Sequence, residues 1–129
     1  MSTAKNKLRI KLKSYDHRVL DSAVTKIVEK INDNFYRYDI DVCSLLKESG
    51  YAEDYIRAQF KKITGQTPVE FLTKVRISHA CYLIGIYRNS IPLSDISYKC
   101  GFLDYIYFSR KFKQIMGVSP RKYMEDSIS

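Results

Sequence analysis

The chain has little of what catalysis, disulfide cross-linking or membrane insertion requires. It holds three cysteines, Cys43, Cys81 and Cys100, widely spaced and without a C-x-x-C pair, and two histidines, His17 and His79, that do not cluster with them in sequence. An odd count without ligand spacing argues against a disulfide framework and against a metal site, and the three thiols are expected as small core residues of helices. There is no P-loop, no G-x-S-x-G and no pair of carboxylates on a recognisable pocket, so neither an enzyme nor a bound cofactor is expected. No apolar run approaches the length of a membrane span and no signal-peptide pattern is present. A cytoplasmic protein with no membrane contact is the expectation.

What is there is a folded, basic chain. Hydrophobic residues at 45% and eleven tyrosines suit a packed protein, and 129 residues hold one domain or two small subdomains sharing a helix. Twenty-two lysines and arginines against fourteen acids give a net charge of +8, which invites an anionic partner. Five of those charges, Lys5, Lys7, Arg9, Lys11 and Lys13, precede the first acid, Asp16, and the remainder carries only +3. Charge alone therefore does not establish nucleic-acid binding by the folded part.

Pattern goes further. Leu93 to Tyr123, LSDISYKCGFLDYIYFSRKFKQIMGVSPRKY, reads as a short helix, a turn at Gly101, a second helix, another glycine at Gly117 and a helix start at Ser119-Pro120. In the second helix Phe108, Phe112 and Ile115 fall at i, i+4 and i+7 and share one face. Ile106, Ser109, Arg110 and Lys113 form the opposite stripe, which taken alone is either a face shaped to be pressed into a nucleic-acid groove or an ordinary solvated charged face. The same order of signals occurs upstream, in Asp41 to Leu72. Leu45 matches Ile96 and Gly50 matches Gly101, each 51 apart; Phe60, Lys61, Gly65, Pro68 and Phe71 match Phe112, Lys113, Gly117, Pro120 and Tyr123, each 52 apart. The extra residue lies just after the second unit's Gly101, in a turn, where insertions cost least. The chain thus reads as a duplicated helix-turn-helix.

These residues resemble a known family. GFLDYIYFSRKFKQIMGVSPRKY is similar to the C-terminal signature of AraC/XylS-type bacterial transcription regulators, and Val75-Arg76-Ile77 with Ala80 and Leu83-Ile84 resembles that family's connecting helix. The resemblance covers about residues 38 to 124. It implies an all-α fold of about seven helices, two helix-turn-helix subdomains joined by a long linker helix, that binds double-stranded DNA.

Taken in order, residues 1–14 are expected as a basic flexible tail or linker, or as an edge strand in a longer parent, and residues 15–126 as the DNA-binding domain. Within it, 15–66 form the first subdomain, 67–87 the linker helix and 91–126 the second subdomain. Asp16 is a plausible cap for a first helix whose stripe runs Leu20, Ala23, Val24, Ile27, Val28, Ile31 and Phe35. Asp39 or Asp41 caps the second helix, and the third is expected from about Glu53 to Thr64. Thr67 and Glu70 make a capping box, with Pro68 at the first helical position. Leu72, Val75, His79, Leu83 and Ile86, with Ala80 and Ile84, should give the linker helix a broad apolar face, with His79 as a hydrogen-bonded packing residue. A helix of about nineteen residues spans about 28 Å. Recognition helices so separated can enter successive major grooves, whose repeat is about 34 Å, if the DNA bends or one unit engages weakly. Pro92 should open the next helix, and the final EDSIS is expected to fray.

Arg110 is the first candidate to read a guanine, with Tyr105, Ile106 and Ser109 tuning neighbouring bases or backbone. Arg57 and Tyr55 are the candidates from the first unit, with Asp54 placed to accept from a cytosine amino group or to orient Arg57. Lys113, Lys61, Lys62, Arg121 and Lys122 are expected on phosphates. The first unit departs from the family pattern: Ala52 stands where a capping serine is usual and Ala58 where an arginine is usual. Glu53 and Asp54 suit the helix dipole but bring negative charge to the end that approaches phosphate, which weakens the expectation of base reading there. The rival from another class is a protein-interaction module of the same fold, with weak or lost DNA binding. RNA polymerase, and an effector-binding or dimerisation domain in a longer parent protein, are the other partners that the resemblance implies.

Overall fold

The computed structural model describes residues 18–128, and side chains from residue 22 onward. The basic tail and the Asp16 cap lie outside the described residues. Seven helices make up the regular structure described: α1 (Arg18–Asn34), α2 (Val42–Lys47), α3 (Glu53–Thr64), α4 (Pro68–Tyr87), α5 (Leu93–Lys99), α6 (Tyr105–Met116) and α7 (Pro120–Ile128). They divide into two compact units. One contains α1, α2, α3 and the first turns of α4 to Leu72; the other contains residues 35–39 and the chain from Thr73 onward.

In the first unit, α1 packs across both α2 and α3. Its Val24, Ile27, Val28 and Ile31 are buried, as the stripe requires, against a core to which α3 gives Ile56, Phe60 and Ile63. Phe60 meets Phe71 of α4 edge to face, with ring centroids 5.6 Å apart. Asp41, not Asp39, caps α2: its carboxylate accepts from the Cys43 amide at 3.1 Å and the Ser44 hydroxyl at 2.8 Å. The Ser44 hydroxyl, chiefly, holds its pKa below the usual range. Asp39 instead pairs with Arg37 at 3.1 Å. Cys43 is exposed, against the expectation of three core cysteines, because the first turn of α2 turns it to the surface beside its capping aspartate.

The capping box at α4 forms in both directions: the Thr67 amide donates to Glu70 at 2.9 Å and the Glu70 amide donates to the Thr67 hydroxyl at 3.1 Å. Within the second unit, Ile77, Ala80 and Ile84 of α4 join Ile96, Phe108 and Phe112 in one buried cluster. Ile86 does not follow the expected face; it is 54% exposed, while Ile77, which that face left out, is fully buried beside Ala80 and Ile84. Phe35 also departs from expectation. The helix α1 ends at Asn34, and Phe35 packs its ring 4.9 Å from that of His79 in the second unit. Partial burial lowers the pKa of His79. The C-terminal residues keep helical form as far as Ile128, where fraying was expected; the Ser127 hydroxyl donates to the Tyr123 carbonyl at 2.8 Å.

Arg76 organises the second unit. Its guanidinium donates to the carbonyls of Phe35 and Arg37, both at 2.7 Å, and lies 5.5 Å from the Phe102 ring. Burial lowers its pKa from the ordinary arginine value without threatening its charge. Gly101 sits against this cluster at φ 96°, and a Cβ there would lie 2.6 Å from the Phe35 carbonyl and 2.9 Å from Arg76 Nε. Glycine is needed for the close approach as well as for the turn.

Candidate nucleic-acid interface

Each unit presents one helix whose inner face is fixed by large buried side chains, Ile56 and Phe60 in α3, Phe108 and Phe112 in α6. Phe108 and Phe112 are fully buried in α6, continuing a chain of ring contacts from Phe102 (5.1 Å) through Phe112 to Tyr123 (5.5 Å). Once that face is fixed, the 3.6-residue period turns Ile106, Arg110 and Lys113 outward, and all three are exposed, with Ser109 half-buried beside them. Tyr105 leans on Phe108, with centroids 5.7 Å apart, so only part of its side chain faces solvent. The Arg110 guanidinium lies 5.6 Å from the Tyr107 ring, three residues earlier, and Lys111 approaches the same ring at 5.7 Å. Stacking on an aromatic face restricts the arginine's rotamers.

The start of α6 is capped by Asp104, whose carboxylate accepts from the amides of Ile106 (2.9 Å) and Tyr107 (3.3 Å). Asp104 and Tyr107 were not among the candidates, although both signals are local: an aspartate two residues before the outward stripe, and an aromatic three residues before an arginine.

The helix α3 has the same inner face and a different outer one. Ile56 and Phe60 are fully buried, and Asp54, Ala58, Lys61 and Lys62 are exposed. Its N-cap, Ala52, offers no side-chain hydrogen bond. Arg57 is half-buried and donates to Glu53 at 2.8 Å, so the carboxylate that orients it is Glu53 and not Asp54. Tyr55 is half-exposed, with its ring 5.7 Å from that of Tyr51. Both helices end on a left-handed glycine, Gly65 at φ 83° and Gly117 at φ 84°. In α7, Arg121 and Lys122 are exposed, and Lys122 pairs with Asp126 at 3.5 Å. The Ser119 hydroxyl caps that helix by accepting from the Lys122 amide at 3.1 Å.

Among the described residues, no group of three His, Cys, Asp or Glu side chains is placed to hold a metal ion, and no helix is long and apolar enough to cross a membrane. The buried Cys100 thiol is pushed up to about 12 by burial, which makes it a packing group rather than a nucleophile.

Comparison with known proteins agrees with this geometry. The family model described as a helix-turn-helix domain matches residues 45–126. The transcriptional activator RhaR of Escherichia coli K12 is 31% identical over 105 residues, covering 81% of this chain. The chain spans 35% of the length of that relative. Among solved structures, the C-terminal domain of AraT, a response regulator from Geobacillus stearothermophilus, superposes with a TM-score of 0.72 at 27% identity, covering 81% of this chain and 84% of that one. A probable AraC family transcriptional regulator from Rhodopseudomonas palustris has the same fold, with a TM-score of 0.72 at 24% identity over 82% of this chain and 97% of that one. With the doubled helix-turn-helix and its matched glycines, these likenesses show that the chain belongs to the helix-turn-helix family of AraC/XylS-type transcription regulators.

Proposed function

We propose that this chain binds double-stranded DNA sequence-specifically as part of a bacterial transcription regulator, with α6 as its principal reading helix. The observation that carries the proposal is the α6 face: Arg110 held over Tyr107, with Ile106 and Lys113 exposed on the same side, on a helix locked from behind by Phe108 and Phe112. Arg110 takes a guanine edge through two parallel donors, and Ser109 and the exposed part of Tyr105 reach adjacent groups. Lys113, Lys61, Lys62, Arg121 and Lys122 contact phosphates, which adds affinity without sequence choice. From the first unit, Arg57, Tyr55 and Asp54 supply weaker reading, because Arg57 is committed to Glu53. The two helices engage successive major grooves. RNA polymerase and an effector-binding or dimerisation domain of a longer protein are the further partners of this reading, in the cytoplasm and without catalysis.

The direct test is a titration of labelled duplex at two salt concentrations, followed by selection from a random pool. A steep loss of affinity with salt and an enriched motif are expected. Salt-independent or unmeasurable binding would favour the second reading, a protein-interaction module. The Glu53–Arg57 pair and the acid at Asp54, which subtract positive charge from α3, favour that reading for the first unit alone.

A further inference from the structure

We infer that Leu103 and Ile106 form a thymine-methyl reader at the leading end of α6, so that the target site carries thymine beside the guanine taken by Arg110. The inference rests on the reading of α6 as the groove-entering helix. Ile106 is 74% exposed and Leu103 is 68% exposed, on either side of the capping Asp104. Single apolar residues on a surface need no explanation, but these two flank the N-cap of a helix whose exposed stripe continues with Arg110 and Lys113. The first turn of a recognition helix is the part that meets base edges. In the major groove, the apolar group available to an aliphatic side chain is the 5-methyl of thymine.

Local structure fixes where these side chains sit. Asp104 holds the Ile106 amide at 2.9 Å, which sets the first turn, and Arg110 follows Ile106 by four residues, one turn along the same face. One turn advances about 5.4 Å along the helix, which places the methyl contact about one or two base pairs from the guanine. Arg110 and Lys113, one and two turns further along the same face, are complementary to DNA and unsuited to a purely apolar protein groove, while Asp104, the carboxylate between the pair, is engaged by the Ile106 and Tyr107 amides. The other unit supplies an internal contrast. Asp54 stands at the position of Ile106, and the shorter turn Gly50-Tyr51-Ala52 has no counterpart of Leu103. The extra residue of the second turn is therefore the one that gives α6 its second aliphatic contact.

The test uses the duplex that the full chain selects from a random pool, with each thymine replaced in turn by deoxyuridine, which removes the methyl group and nothing else. The wild-type protein should lose affinity at one or two thymines next to the guanine that Arg110 protects, by about fourfold each, the scale of one buried methyl group. In Ile106→Ala and Leu103→Ala the thymine and deoxyuridine duplexes should bind alike at the corresponding position. Lys113→Ala should weaken both duplexes and preserve their ratio. Both aliphatic side chains are exposed, so their truncation leaves the core intact, which a thermal melt of each variant checks. The inference is overturned if the wild type is indifferent to deoxyuridine at every thymine, or if its discrimination survives in both variants. Absence of any salt-dependent duplex binding by the wild type would overturn the DNA-reading proposal itself, and this inference with it.

Discussion

The helices α3 and α6 are twelve residues each, end on a left-handed glycine and bury two large residues four apart, Ile56 and Phe60 in one, Phe108 and Phe112 in the other. Their outer faces share little. On α6 the cap is an aspartate bonded to two amides, and the arginine lies over a tyrosine. On α3 the cap makes no side-chain bond, and the arginine one position earlier in the repeat is neutralised by Glu53. The inner face answers to packing, which tolerates few changes of volume, while the outer face answers only to what it touches. The two units thus share one scaffold and present two different outer faces.

The scaffold half of the comparison is open to the largest effects. Phe60→Ala and Phe112→Ala both remove a fully buried ring and should each cost about 3–5 kcal/mol, measured by denaturant unfolding. Costs that differ several-fold between the two would show that the repeats are not equivalent as scaffolds. The turn glycines should separate more sharply. Both carry positive φ, Gly50 at 84° and Gly101 at 96°, so Gly50→Ala should cost about 1–2 kcal/mol from backbone strain alone. Gly101→Ala adds a Cβ 2.6 Å from the Phe35 carbonyl, a backbone atom, and should lower the melting temperature further and disturb Arg76. Equal melting temperatures would remove the second role assigned to Gly101.

The reading half is tested on DNA. Arg110→Ala should cost about 1–3 kcal/mol of binding and relax specificity at one base pair, seen in a footprint or a repeated selection. Arg57→Ala should cost less, because the side chain it removes is already paired. Releasing it with Glu53→Gln should tighten binding to mixed-sequence duplex and steepen its salt dependence. If Arg57→Ala proves the more damaging of the two, the order of the two readers is reversed.

Most of this architecture was open to a reader of the sequence, because its signals are local. Glycines at matched spacing, a Thr-x-x-Glu box before an apolar stripe, and aromatics at i and i+4 act within one or two turns; α3 begins and ends where its periodicity says. Contacts made across the chain were not legible. Arg76 finds the Phe35 carbonyl 41 residues away, and no spacing rule marks an arginine within a helical stretch as a partly buried donor. Cys43 and Ile86 were misjudged for a related reason: hydrophobicity assigns a residue to a core only if the helix is rotated correctly, and α2, with six residues, is too short to fix its own phase, while the run Leu83-Ile84-Gly85-Ile86 near the end of α4 is apolar on every side. On the surface, the spacing identified Arg57 as a charged outward residue but not that Glu53, one turn earlier, would claim it.

The smallest effects lie at the caps, where the two helices can be made to exchange properties. Asp104 satisfies two amides that have no partner inside the helix, so Asp104→Ala should destabilise the chain by about 0.5–2 kcal/mol. The reverse change, Ala52→Asp, installs a capping carboxylate at an extended backbone position, with ψ 138°, and should stabilise by a similar or smaller amount. A stabler α3 need not bind DNA better. A new carboxylate beside Glu53 and Asp54 adds a third negative charge to the end that would approach phosphate in a complex, so Ala52→Ser is the informative partner, since it caps without charge. If α3 contacts DNA, Ala52→Ser should raise the melting temperature with affinity unchanged or improved, while Ala52→Asp raises the melting temperature and weakens binding. If both variants bind like the wild type, α3 stands away from the duplex, and the reading surface of this chain is α6 alone.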